Sequence, residues 1–415
     1  MPDAAGSTDD GHLTIGGCDV TELAAEFGTS LFVYDEAHLR ARCREAVAAF
    51  GGGVAYATKA FLCLAMARLV HEEGMHLDVA SGGELFVARQ AGVPGDRIVL
   101  HGNNKSVDEL AWALEEGVGR IVVDSFDELD RLEQLYAEGR GRAQIMLRIT
   151  PGIVAHTHEF ISTGQDDSKF GFGLRSGAAG QAVERAGSSN AVELMGIHAH
   201  IGSQVFVAES FAKAAEALAP FVAPLGLPEV SLGGGLGVAY VEGESAPTIT
   251  EWAEYVIGAA RNAGMTGTIV AEPGRSIAAA AGITLYRVGT VKDLPGIRRY
   301  VAVDGGYGDN PRPVLYGSDY TSFDPARVDA ARPERARLVG KHCESGDVIV
   351  RDAPIPAGLA VGDLLATPVT GAYGHGMGSN YNKMLRPAVV FAADGDARLV
   401  VRRETHEDLI RHDCP

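Results

Sequence analysis

Eight apolar runs of strand length alternate with amphipathic helical patterns through the first two-thirds of the chain. They lie at 54–58 (VAYAT), 76–80 (HLDVA), 98–101 (IVLH), 120–124 (RIVVD), 144–149 (QIMLRI), 193–201 (ELMGIHAHI), 229–233 (EVSLG) and 268–272 (TIVAE). Helical patterns such as 84–91 (ELFVARQA), 107–116 (VDELAWALEE) and 126–137 (FDELDRLEQLYA) fall between them, and the early units repeat about every 22 residues. Continuous apolar strands that alternate with amphipathic helices require a parallel sheet covered on both faces.

Eight such units predict a (β/α)8 barrel over residues 35–285. A doubly wound open sheet is the alternative, but no G-x-G-x-x-G follows the first strand. After residue 285 the texture changes to short β-rich segments separated by Pro/Gly turns: 283–291 (ITLYRVGTV), 300–303, 347–350, 388–391 and 399–402. Residues 286–415 therefore read as an antiparallel β domain. The two apolar segments before residue 34 lack a helical partner and are expected to join it, giving three stretches, 1–34, 35–285 and 286–415.

A chain of 415 residues with formal net charge −18 and no Lys/Arg cluster excludes nucleic acid and anionic membrane as natural partners. No apolar stretch is long enough to span a bilayer, and the start (MPDAAGSTDDGH) is unlike a signal peptide. Five scattered cysteines (Cys18, Cys43, Cys63, Cys343, Cys414) suit a reducing compartment, which points to the cytoplasm.

In a barrel the chemistry sits at the C-terminal strand ends. Lys59 follows the first strand, where burial would be costly unless its amine has a task. It is either a lysine that snorkels to solvent or a nucleophilic amine for Schiff-base chemistry. Strand seven ends in Gly233-Gly234-Gly235, a backbone that lets a ligand approach closely, and Arg275 after strand eight offers a cation to an anion. Together they predict a phosphate site. Glu272 at the end of strand eight is a carboxylate that needs a partner, either a cationic heterocyclic nitrogen or a basic side chain such as Arg275. His198 and His200, two apart on a strand, share a face, and one could lie against a planar ligand. Amine, phosphate cradle, carboxylate and histidine are the parts that hold pyridoxal phosphate. The chemical rival is a metal site using His156-Thr157-His158, Glu159 and His198-Ala199-His200, but no further ligands at other strand ends complete it.

The motifs resemble those of the diaminopimelate decarboxylases, fold-type III pyridoxal-phosphate enzymes, over nearly the whole chain. The resemblance rests on Tyr56-Ala57-x-Lys59-Ala60, HGNNK at 101–105, HIGSQ at 200–204, GGG at 233–235, EPGR at 272–275 and the loop 156–173. It continues through Asn310-Pro311-Arg312-Pro313-x-Leu315-Tyr316, HCESGD at 342–347 and Gly371-Ala372-Tyr373-Gly374. One departure is Gly376-Met377-Gly378, where the family often has serines. The resemblance implies that Lys59 links covalently to the cofactor, His200 stacks on its ring and Glu272 binds its pyridine nitrogen. It places Ser203, Gly233, Gly234, Gly235, Gly274, Arg275 and Tyr373 around the phosphate. It gives Arg275, Arg312, Tyr316, Glu344 and Tyr373 to the far end of the substrate, and makes Cys343 the proton donor. It further implies a homodimer with shared active sites and no metal.

The implied reaction is loss of carbon dioxide from meso-2,6-diaminopimelate to give L-lysine. Two arginines suit the distal carboxylate of that substrate and Glu344 its ammonium. Decarboxylation of another basic amino acid (ornithine, arginine or lysine), racemisation on a similar barrel, or a catalytically silent regulator are the alternatives.

Overall fold

The computed structural model describes residues 1–152, 167–200, 202–206 and 208–414. The chain divides into two compact units, one of residues 42–238 and 245–276, the other of 1–41, 239–244 and 277–415.

The first unit is built on eight parallel strands: β1 (Ala55–Ala57), β2 (His76–Val79), β3 (Ile98–Leu100), β4 (Arg120–Val123), β5 (Ala143–Thr150), β6 (Val192–His198), β7 (Glu229–Ser231) and β8 (Thr268–Val270). Each pairs with the next in chain order. The ring closes where the amides of Ala55 and Ala57 donate to the carbonyls of Ala271 (3.0 Å) and Pro273 (3.1 Å). Helices follow the strands, as the two-sided apolar runs require.

The turns into these helices repeat one device. Ser81, Ser106, Ser125 and Thr248 each accept, through the side-chain oxygen, the amide of a glutamate three residues on: Glu84, Glu109, Glu128 and Glu251. Ser106–Glu109 and Thr248–Glu251 close the reciprocal bond as well. Such capping boxes satisfy amides that the first helical turn leaves without a partner.

At the third turn the glutamate takes another task. Glu128 accepts the amide of Asp124 (3.1 Å) and meets the Nζ of Lys105 at 2.7 Å, with both side chains no more than 2% exposed. Lys105 gives its remaining protons to the carbonyls of Gly102 and Val122, each at 2.7 Å. A buried pair with every donor used is stable as a pair, whereas one partner alone is not.

The second unit holds a mixed, mostly antiparallel sheet. Its strands run in the order 348–355, 334–339, 298–303, 282–294, 31–35, 388–393 and 396–401, with 364–368 paired to 282–294. Two neighbours are parallel, Arg298–Val303 with Glu334–Val339 and Leu31–Asp35 with Ala388–Ala393, so the expected antiparallel pattern is not uniform. The N-terminal segments behave in two ways. Leu31–Asp35 enters the large sheet, whereas Gly6–Ser7, Leu13–Ile15 and Cys18–Asp19 form a small sheet of their own. Leu13 and Ile15 still pack into the same core as Leu31, Val33, Ile283 and Val390. Among the described residues no helix is long and apolar enough to cross a membrane.

Replacing Lys105 by Met should leave Glu128 buried without its counter-charge and cost about 3–5 kcal/mol of unfolding free energy. A urea titration of Lys105→Met that showed a loss below about 1 kcal/mol would contradict the structural role given to this pair.

Candidate active site

The first strand stops at Ala57 and the chain turns through one 3-10 turn, Thr58–Ala60. Two side-chain bonds lock it: the Thr58 hydroxyl donates to the Asp78 carbonyl and the Tyr56 hydroxyl to the Phe61 carbonyl, each at 2.8 Å. Thr58 and Ala60 are buried, but Lys59 between them is exposed. Lys59 therefore reaches solvent from the strand end, because the turn lifts its side chain off the apolar run. Its charge still acts on Asp78 and His200.

Glu272, two residues past β8, is buried at 8% exposure. Its Oε2 lies 2.9 Å from His198 Nε2, and its Oε1 accepts the Ser231 hydroxyl at 2.8 Å. His101 Nε2, after β3, stands 3.5 Å from Glu272 Oε1 and 3.6 Å from Asp78 Oδ1. The two imidazoles meet edge to face with centroids 4.9 Å apart. Burial opposes a charge on Glu272, yet His198 and His101 outweigh it and hold the carboxyl well below its ordinary range. Burial pushes Asp78 up to about 6 and His198 down to about 4. His101, also buried, is nevertheless raised by Asp78 and Glu272.

Two alternatives left open by the sequence are decided here. Arg275 does not neutralise Glu272; its Nη2 donates to Ser203 Oγ at 2.9 Å. His198 and His200 do not act alike, since His198 ends β6 against Glu272 while His200 lies beyond the strand, where its Nδ1 accepts the Gly234 amide at 3.3 Å.

The glycine turn is shaped by close backbone approach. A Cβ at Gly234 would fall 2.2 Å from the Glu272 carbonyl oxygen, and Gly233, at φ +70°, would place one 2.6 Å from the Ala199 carbonyl oxygen. Gly235 lies 2.1 Å, by the same measure, from the Gly202 carbonyl, and Gly274 2.9 Å from that of Ala57. No side chain fits this cradle. Lys59, His200, Ser203, Gly233, Gly234, Gly235, Glu272, Gly274 and Arg275 all belong to the barrel unit and follow its strand ends.

The remaining predicted residues belong to the second unit. Arg312 is buried, with its guanidinium 4.2 Å from the Tyr240 ring centroid and Nη1 donating to the Tyr320 hydroxyl at 2.6 Å. Among the described residues its charge meets no carboxylate. Tyr316 ends the same short helix, half-buried. Tyr373 is half-buried with φ +58°, a left-handed conformation that a bulky residue keeps only where its surroundings impose it. Cys343 and Glu344 are exposed on a loop pinned by Asp347, whose Oδ2 accepts both the amide and Nδ1 of His342 at 2.9 Å. The Cys343 amide donates to Asn382 Oδ1 at 2.8 Å.

The sequence reading missed the company Glu272 keeps. His101, Asp78 and Ser231 all stood at strand ends, which was the available signal. Among the described residues, His101, His198 and Glu272 also bring possible metal-ligating atoms within 4.8 Å of one another, a grouping that spacing alone did not assemble. His156, His158 and Glu159 lie outside the described residues, as does most of the loop 156–173.

Residues 36–279 match the family model described as pyridoxal-dependent decarboxylase, pyridoxal binding domain. The chain is 47% identical to the diaminopimelate decarboxylase of Bacillus subtilis, with 98% of this chain and 96% of the relative covered. It is 49% identical to that of Mycobacterium bovis, with 96% and 94% covered. Among solved structures, diaminopimelate decarboxylase from M. jannaschii in complex with L-lysine superposes with a TM-score of 0.93 at 34% identity, covering all of this chain and 98% of that one.

Gly234→Ala should force the ends of β7 and β8 apart and cost about 1–3 kcal/mol, read as a lowered unfolding midpoint. Buried His375, pushed down to about 3 by burial and then by Arg386, is neutral in the folded chain. Its contribution to stability is complete above its ordinary 6.5 and is lost as pH falls toward about 3. The melting temperature should drop across that window, and less steeply in His375→Phe.

Proposed function

The chain belongs to the diaminopimelate decarboxylases, and from that footing we propose how its residues remove carbon dioxide from meso-2,6-diaminopimelate to give L-lysine. The observation that carries the reading is the buried, ionised Glu272 beside a glycine cradle, in a chain matched almost end to end by these decarboxylases. The cradle suits a phosphate, the buried carboxylate suits a protonated ring nitrogen, and the exposed amine of Lys59 suits an aldehyde. These features fit pyridoxal 5′-phosphate. When bound, that cofactor supplies an aldehyde for an amine and a ring that takes up the electron pair left by departing carbon dioxide.

The other roles belong to the chain. Lys59 would hold the cofactor through its amine until the substrate amine takes that place. Glu272 keeps the ring nitrogen protonated, which makes the ring the better electron acceptor. His200, well below its ordinary value through burial and the charge of Lys59, is neutral and can lie flat against the ring. Ser203, Gly233 to Gly235, Gly274, Arg275 and Tyr373 receive the phosphate. Arg312 and Arg275 take the distal carboxylate, Glu344 the distal ammonium, and Tyr316 and Tyr373 flank them. The Cys343 thiol gives its proton to the carbon that has lost carbon dioxide, and the resulting thiolate is reprotonated from solvent. Cys343 and Glu344 are assigned to the active site of a second subunit, which makes the working form a homodimer. A cytoplasmic location accords with the scattered free cysteines.

The purified protein should absorb near the edge of the visible range, and borohydride should abolish that band. Absence of both would exclude the cofactor. With meso-diaminopimelate, ornithine and lysine in competition, only the first should release carbon dioxide at an appreciable rate. Cys343→Ala should lower kcat by about 10²-fold or more while leaving the absorbance intact; full turnover in this variant would remove the thiol from the reaction. Arg312→Ala should lower kcat/KM for diaminopimelate by about 10–100-fold, the worth of a charge-assisted hydrogen bond.

A further inference from the structure

Glu272 is held by more than its place at a strand end. Its two oxygens are divided between neighbours from three other strands: Oε2 faces His198 at the end of β6 at 2.9 Å, and Oε1 faces Ser231 of β7 at 2.8 Å and His101 after β3 at 3.5 Å. We infer that His101 and His198 are positioning residues for Glu272: they hold its carboxylate ionised and aimed, so that the chain prefers a cofactor ring containing a nitrogen over one without it. The inference rests on the pyridoxal reading of the site and adds to it the residues that make Glu272 fit for its part.

The two histidines divide the work. His198 is fully buried, and burial holds it near 4, so it carries one proton. That proton sits on Nε2, where it donates to Glu272, while Nδ1 has no hydrogen-bond partner among the described residues. His198 therefore supplies direction without charge. His101 stands between two carboxylates, Glu272 at 3.5 Å and Asp78 at 3.6 Å, and against its burial both favour its charged form. It supplies the charge. Arg148, paired with Asp124 at 3.6 Å, Lys59 and Glu84 also act on this cluster through their charges. Without His101, Asp78 and Glu272 would share a buried site with one counter-charge fewer, and one carboxyl would retain its proton. A protonated Glu272 cannot favour a protonated ring nitrogen.

The test uses the full-length protein stripped of cofactor and titrated with pyridoxal phosphate and with its 1-deaza analogue, in which a C–H replaces the ring nitrogen. The wild type should bind the nitrogen-containing ring more tightly. In His101→Gln and His198→Leu that preference should fall by about tenfold, the worth of one unit in the carboxyl's titration, toward the ratio of Glu272→Gln. Affinity for the deaza ring should be unchanged. His198→Gln, which keeps a donor, should retain the preference. Equal loss for both rings would mean that the histidines only pack, and would overturn the inference. So would stoichiometric zinc in the purified protein that disappears in His101→Gln. A second measurement on the wild type needs no variant to fold: nitrogen NMR at neutral pH should find both nitrogens of one buried imidazole protonated and only Nε2 of another. Finding both neutral would overturn the inference. A wild type that took up neither ring would overturn the pyridoxal reading, and this inference with it; a wild type that bound both rings, with variants unchanged, would overturn the inference alone.

Discussion

Everything at the barrel mouth depends on one closure. The amides of Ala55 and Ala57 reach the carbonyls of Ala271 and Pro273, joining parts of the chain more than 200 residues apart in sequence. An open sheet of the same eight strands would leave Lys59 on one edge and Glu272 on the other. Once the ring is closed, the turn at Thr58–Ala60 and the segment Glu272–Arg275 become neighbours, and Gly274 must be a glycine because the Ala57 carbonyl passes so near. The separation between amine and carboxylate is thus a property of the barrel and not of either loop.

Polarity at that mouth is arranged with little slack. Asp78, His101, Arg148, His198 and Glu272 are all buried, and each alone would be expensive. His198 and His101 stand close enough to Glu272 that it stays ionised against its own burial. The Lys105–Glu128 pair, a layer away, follows the same logic with every donor spent on a partner.

Much of this was legible in the sequence. The strand runs located the eight strands to within three residues at either end, since a strand buried on both faces is apolar at every position and leaves a continuous signal. Residues at strand ends could be sorted for the same reason, which is how Lys59, Glu272, Arg275 and the glycines came to one list. What did not show was contact across the ring. His101 and Glu272 are far apart in the chain, and nothing in the spacing says that their side chains meet. Whether Lys59 reached solvent was left open; a three-residue turn decides it, and turns of that kind leave little trace in apolar periodicity. The parallel pairing of Leu31–Asp35 with Ala388–Ala393 was hidden likewise, because alternation specifies a strand and not its partner.

Arg312 also bears on the stability of the fold. A guanidinium buried over Tyr240, with no carboxylate beside it among the described residues, makes the folded chain incomplete in its charges. Any anion that seats there adds to folding by mass action, about 2.7 kcal/mol when present at a hundred times its dissociation constant. The stability of the chain would then rise with the concentration of whatever anion occupies that place.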